Sequence, residues 1–263
     1  MRNNPIGVFD SGIGGLTVLD KLIEIFPHED FIYIADTKNC PYGIRSAAEI
    51  EKLVTDVVLY LLENKIKTLV IACNTATAYG THLAEITAIP IVGVIEPTAQ
   101  AAVKTTKNHK IAVLATNATI KSGFYQEYLA RQLPSAFCVY PISCSEFVVA
   151  IEAGEINNDY SYRLVAEKLK PYRNENIDTA VLGCTHFGLY HREIAQMLPQ
   201  ANLVGSGAPT AQYLYKVLNQ KELMSNNKAP GKVIVKTTGD PAKLNKQIKW
   251  FKKPYQGIYH IDI

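Results

Sequence analysis

Apolar runs of only four or five residues recur along this chain, and stretches with helical spacing separate them. A strand that is apolar throughout has no face to offer to water, so it must be covered on both sides. The expected strands cover 6–9, 31–35, 68–72, 91–94, 111–115, 137–140, 179–182 and 232–237. Helical patterns cover 47–64, 119–132, 160–172 and 210–220. In the first of these, Val54, Val57, Val58, Leu61 and Leu62 form one apolar face. Strands alternating with amphipathic helices read as doubly wound α/β layers on mostly parallel sheets.

The chain also echoes itself. Residues 66–75 read IKTLVIACNT and residues 177–186 read IDTAVLGCTH. Aligned without gaps, Ile66/Ile177, Thr68/Thr179, Val70/Val181 and Cys73/Cys184 are identical. An opening strand repeats in the same way, IGVFDS at 6–11 and IAVLAT at 111–116. The expected architecture is therefore two similar α/β domains facing a central cleft. The first is formed by 1–98 plus 208–263, the second by 99–207. Each cysteine falls just past the carboxyl end of its strand, the edge where open α/β sheets bind ligands.

Composition narrows the function classes. Apolar residues make up 48% and charged residues 19%, which excludes a largely disordered chain. Lys and Arg number 27 against 24 Asp and Glu, with no basic block. The densest basic stretch, Lys249, Lys252 and Lys253, reads as a solvated helix end, so nucleic acid is not expected as a partner. No segment approaches the roughly 20 apolar residues of a membrane span. The amino terminus lacks the apolar core of a signal peptide, so a cytoplasmic location is expected. Five cysteines without a C-x-x-C pair argue against a disulfide scaffold or a zinc ribbon.

Cys73 and Cys184 then stand out by context. Ala-Cys-Asn-Thr and Gly-Cys-Thr-His set a small residue before the thiol and polar residues after it. A core cysteine needs no polar neighbours, whereas a thiol that must ionise does. Cys40 and Cys138 lack such context and read as bystanders. Asp10 and Ser11 open a turn with three glycines in four positions, Gly12, Gly14 and Gly15. Such a turn lets backbone N–H groups approach a small anion, and it matches neither the dinucleotide fingerprint nor a Walker loop. By motif alone, Asp10 fits a helix cap and a catalytic role equally. His186 reads either as a proton shuttle for Cys184 or as a capping or solvent-facing histidine. Tyr42-Gly43, in a turn set by Pro41, can offer side-chain or main-chain bonds to a substrate. Glu96 either links the halves or caps a helix, while Asp36 and Glu152 read first as ordinary, Glu152 on an exposed helical face.

Together these residues resemble the glutamate racemases of bacterial peptidoglycan synthesis. The matching strings are GVFDSGIGGLTVL (7–19), ADTKNCPYG (35–43), ACNTATA (72–78), IPIVGVIEPTAQAA (89–102), LATNAT (114–119) and LGCTH (182–186), spread over about three quarters of the chain. The resemblance implies that Cys73 and Cys184 are the catalytic acid/bases. It makes Asp10 the helper beside Cys73 and His186 the helper beside Cys184, with Glu152 supporting His186. Asp10, Ser11, Tyr42, Gly43, Asn74, Thr75, Thr116, Thr119, Thr185 and His186 would bind the amino acid. Neither cofactor nor metal is implied, and the partners are glutamate and, compatibly, a second copy of the chain as a homodimer. The chain departs from the usual family pattern at Cys144-Ser145-Glu146-Phe147, at Phe187-Gly188 and at Gly205-Ser206-Gly207.

The implied chemistry is internally consistent. One base on one face of Cα tends to regenerate the enantiomer it deprotonated, whereas a thiolate and a thiol on opposite faces invert it. A binding protein without catalysis would have no use for paired thiols. A thiol-nucleophile hydrolase or transferase would leave the second cysteine idle.

Overall fold

The structure, a computed structural model, describes residues 2–80 and 82–263. Ten strands are described: β1 (Ile6–Asp10), β2 (Phe31–Ala35), β3 (Thr68–Ile71), β4 (Ile91–Gly93), β5 (Lys110–Ala115), β6 (Cys138–Ser143), β7 (Thr179–Gly183), β8 (Asn202–Val204), β9 (Val233–Thr237) and β10 (Ile258–His260). They form two sheets, ordered β10-β9-β2-β1-β3-β4 and β6-β5-β7-β8. Every pairing is parallel. The order β2-β1-β3-β4 in one sheet repeats as β6-β5-β7-β8 in the other. The sequence echo is thus a structural one, with β1 matching β5 and β3 matching β7.

The all-apolar strands are covered on both faces, as their composition demands. Every residue of β1, β2, β3 and β7 is buried. Helix Leu16–Ile25 turns Leu16, Val18, Leu19 and Leu22 inward. Helix Ala47–Glu63 buries Ile50, Val54, Val57, Val58 and Leu61, and starts on a capping box between Ser46 and Glu49. The largest apolar cluster takes Val8 and Tyr33 from one half and Leu114 and Leu182 from the other. Helix Ile95–Thr105 spans residue 98, where the expected crossing lies, and packs on β7 and helix Phe124–Gln132. Helix Gly207–Gln220 returns the chain to helix Leu16–Ile25.

Several local expectations change. The helix expected over 119–132 is two helices, Asn117–Ser122 and Phe124–Gln132, broken at Gly123 with φ 75°. Glycine adopts that left-handed conformation at no steric cost. The strand expected at 137–140 is displaced to β6, whose Pro141 is tolerated because β6 is an edge strand. Lys249, Lys252 and Lys253 lie beyond the end of helix Pro241–Gln247, where Lys253 pairs with Glu24 at 3.3 Å. Short β8 and β10 carry exposed residues and no continuous apolar run. No described helix is long and apolar enough to cross a membrane.

One buried ion pair ties the chain together behind the sheet. Lys67, fully buried ahead of β3, contacts the Glu29 carboxylate and donates to the carbonyls of Arg2 (2.7 Å) and Leu223 (2.8 Å). Glu29 in turn accepts from the Ser225 N–H at 2.7 Å. Lys67→Met leaves the carboxylate buried and unpaired, and should cost about 3–5 kcal/mol in urea denaturation. The Lys67→Met/Glu29→Leu double variant, which removes both charges, should recover most of that loss.

Candidate active site

The cleft between the two sheets is built from the carboxyl ends of their equivalent central strands. Cys73 follows β3 and caps helix Asn74–Tyr79, its Sγ accepting from the Ala76 N–H at 3.4 Å. Ser11, just after β1, brings its Oγ to 3.5 Å from the same sulfur. Cys184 follows β7 and precedes the short helix Thr185–Tyr190. Both sulfurs belong to residues that line one cavity, together with Ser11, Tyr42, Gly43, Asn74, Thr75, Thr116, Thr185 and His186. The cavity holds about 10 Å³, room for about one water molecule.

The two thiols have different surroundings. Burial pushes the Cys73 thiol up to about 12, and the charge of Asp10 adds to that. The Ala76 N–H and Ser11 oppose the rise without cancelling it. Cys184 has an imidazole beside it instead, with His186 Nδ1 3.7 Å from Sγ. His186 Nε2 lies 2.7 Å from Glu152 Oε1. Burial disfavours the imidazolium, but contact with Cys184 and Glu152 outweighs it and holds His186 well above its ordinary value. Burial likewise works against the Glu152 carboxylate, and His186 more than compensates, so Glu152 sits below its usual range.

Glu152 is therefore no exposed helical residue. It ends helix Ser145–Glu152, and its Oε1 also accepts from the Ile13 N–H (3.3 Å) and the Cys40 thiol (3.6 Å). Gln247, from the carboxyl-terminal part of the chain, donates to the Glu152 carbonyl at 2.9 Å and to Oε2 at 3.3 Å. Cys40 and Gln247 escape sequence reasoning because their partner lies about a hundred positions away, and no local spacing reports it.

Asp10 is placed differently from the expectation. It is fully buried behind the cavity wall and does not cap helix Leu16–Ile25, whose first flanking residue is Gly15. Its Oδ2 accepts from the Gly12 N–H (2.9 Å) and its Oδ1 from the Thr185 hydroxyl (3.1 Å). Asp10 makes no hydrogen bond to Cys73 and reaches that thiol through its charge alone. Burial raises its own pKa, against the opposing pull of His186.

The glycine turn also serves a purpose other than anion binding. A Cβ on Gly14 would stand 2.5 Å from the Thr185 hydroxyl oxygen and 2.7 Å from the His186 nitrogen. The missing side chains let the turn close against the opposite half, and the Gly12 and Ile13 N–H groups are spent on Asp10 and Glu152. The Tyr42 hydroxyl donates to buried Asp36, which removes its side chain as a substrate donor. Glu96 is exposed and bonds Gln100 and Tyr128, away from the cavity.

On the opposite wall, polar groups converge. The hydroxyls of Thr75, Thr116 and Thr119 lie 2.9–3.1 Å from one another, with Thr119 behind the other two. Asn74 accepts from the Tyr125 hydroxyl at 2.6 Å, while its Nδ2 is buried and unpartnered among the described residues. Buried donors are normally satisfied, so a free amide at a cavity wall is a place for a carboxylate oxygen. The departures from the family pattern fall around this core. Glu146 pairs with Lys168 at 2.7 Å, and Phe187 packs on Phe147 with ring centroids 5.4 Å apart.

Comparison with known proteins finds relatives over the full length of the chain. The Asp/Glu/Hydantoin racemase family matches residues 6–213. The chain is 38% identical to a glutamate racemase of Bacillus cereus, over 98% of this chain and 97% of that one. Its structure superposes on a glutamate racemase of Bacillus anthracis with TM-score 0.94 and 34% identity, covering 100% of this chain and 99% of that one. The glutamate racemase of Francisella tularensis, solved in complex with D-glutamate, gives TM-score 0.91 at 31% identity, covering 100% and 98%.

The Glu152–His186 contact carries a pH prediction. In Glu152→Gln the carboxylate that favours the imidazolium is gone, so the pKa of His186 should fall. The imidazolium is then lost at lower pH than in the parent. Any limb of the kcat profile governed by His186 should move to lower pH with it. NMR titration of the His186 ring in both proteins checks the direction.

Proposed function

This chain belongs to the Asp/Glu/hydantoin racemase family, among the glutamate racemases, and interconverts the enantiomers of glutamate; from that premise we propose that the α-proton travels through two thiols, Cys73 and Cys184. The observation that carries this reading is that two equivalent strands deliver one sulfur each to the same cavity. One thiol must be ionised to abstract the proton and the other protonated to return one to the opposite face.

The two environments support one distribution of those roles for one direction. A thiol held near 12 stays protonated at neutral pH, so Cys73 is the donor in the resting form. Cys184 can pass its proton to His186, whose charge Glu152 stabilises. After one turnover the roles are exchanged, and the reverse reaction uses Cys73 as the base. Asn74 Nδ2, Thr75, Thr116 and Thr185 receive the carboxylates, and their fixed dipoles stabilise negative charge developing beyond Cα. Ser11 and the Gly43 main chain complete the wall. Asp10 and Thr119 are positioning residues, since neither lines the cavity.

The cavity as it stands has room for about one water, so we infer that its walls widen to admit glutamate and close over it. Closure excludes water and strengthens each polar contact. The product is D-glutamate for peptidoglycan synthesis, made in the cytoplasm.

Two measurements test the thiol assignment. Cys73→Ala and Cys184→Ala should each abolish racemisation while folding survives, because loss of one sulfur costs only ~1–2 kcal/mol. In D₂O the enantiomer formed should carry deuterium at Cα, while remaining substrate gains little early in the reaction. Racemisation retained in either folded variant would assign the chemistry to a single base.

His186→Asn should slow the two directions unequally. Only the ratio of kcat/KM values is bound by the equilibrium constant, so separate kcat values and isotope effects carry the answer. Identical changes in both directions would remove the assignment of His186 to Cys184.

A further inference from the structure

Behind the Cys184 wall, a third thiol that the racemisation chemistry does not employ, Cys40, stands against the His186–Glu152 pair that it does. Cys40 Sγ, Glu152 Oε1 and His186 Nε2 all lie within 4.8 Å of one another. The sulfur-to-oxygen separation is 3.6 Å and the nitrogen-to-oxygen separation is 2.7 Å. Zinc bond lengths to S, N and O, combined with tetrahedral angles, require donor separations of about 3.4–3.6 Å. The Cys40–Glu152 edge already has that length, and the His186–Glu152 edge must open by roughly 0.7 Å.

Gly12 packs directly against the cluster. A Cβ on Gly12 would stand 2.5 Å from Glu152 Oε1, 2.9 Å from Cys40 Sγ and 3.4 Å from His186 Nε2. Only a residue without a side chain lets these three donors gather against the turn. They come from three separate segments, and Cys40 is half-buried rather than sealed in the core. A thiolate, an imidazole and a carboxylate are together a donor set for a borderline-soft divalent ion, not for Mg²⁺ or Ca²⁺.

We propose that Cys40, Glu152 and His186 form an inhibitory Zn²⁺ site, in which the metal takes His186 away from Cys184. Binding expels the Cys40 thiol proton and the proton shared between His186 and Glu152, and it leaves no oxidised or reduced group. With Nε2 on the metal and Glu152 engaged, His186 can no longer accept and return a proton for Cys184. Metal binding is independent of the two-thiol reading, whereas inhibition rests on it.

Metal-free protein titrated with Co²⁺ alone, as the spectroscopic substitute for Zn²⁺, tests both parts. A sulfur-to-cobalt charge-transfer band is expected in the parent and in Cys73→Ala, and is expected to vanish in Cys40→Ser and Cys40→Ala. Zn²⁺ alone should inhibit racemisation reversibly, with chelator restoring it. Cys40→Ser should keep basal activity and need at least about 100-fold more Zn²⁺ for the same inhibition, since loss of a ligand costs more than the roughly 10–100-fold of an outer-shell partner. A band that persists in Cys40→Ser, one that disappears in Cys73→Ala, or no band at all overturns the site. A Cys40-dependent band without inhibition leaves the metal site standing and overturns the role given to His186.

Discussion

The contact between His186 Nε2 and Glu152 Oε1 is the joint on which the site depends. A buried imidazole and a half-buried carboxylate would each be costly alone. Together they keep one charge of each sign beside Cys184, and Glu152 then gathers the Ile13 N–H from the first half of the chain. Gln247 fixes the same residue from the carboxyl-terminal segment. One carboxylate thus joins the turn after β1, the helix after β6 and the loop after β7. The Ile13 bond ties the turn after β1 to the carboxylate that holds His186.

The remainder of the cleft wall obeys the same logic at lower charge. Thr185 donates to Asp10, and Asp10 in turn holds the Gly12 N–H, so the turn after β1 is anchored to the wall that carries Cys184. The Tyr42 hydroxyl is consumed by Asp36, which also accepts from Thr238 at 2.6 Å, and this braces the loop carrying Gly43 against β9. One buried donor on this wall, among the described residues, is left without an internal partner. That donor is Asn74 Nδ2, whose amide oxygen is already committed to Tyr125.

Much of this is legible in the sequence wherever a local pattern carries the physics. Strands such as β1, β3 and β7 are apolar throughout because both their faces are covered, and composition alone reports that. The echo between 66–75 and 177–186 reports the matching strand order, and with it the placement of Cys73 and Cys184. The illegible part depends on partners distant in the chain. Nothing near Cys40 announces Glu152, and Gln247 looks like any polar residue on a short helix. The resemblance makes Asp10 the helper beside Cys73, while the partners of its carboxylate, Gly12 and Thr185, are not announced by any local pattern. The break at Gly123 is hidden because helical spacing continues across it, and β10 because its residues are mostly exposed.

The repeated scaffold and the unlike thiols answer separate requirements. Repetition supplies geometry, because two copies of one strand–turn unit put two sulfurs at corresponding places facing one cavity. Repetition alone would give two thiols of equal acidity, and with a reference pKa of about 8.5 both would be mostly protonated at neutral pH. A racemase in that state lacks a base. The different neighbours of the two cysteines break the symmetry. Cys73 meets only the weak donors Ser11 and the Ala76 N–H, and stays a thiol. Cys184 meets an imidazole that a carboxylate from another helix keeps basic. On the proposed two-thiol reading, the duplicated fold supplies the two places where a proton is taken and returned, and the unduplicated pair His186–Glu152 supplies the difference between their surroundings.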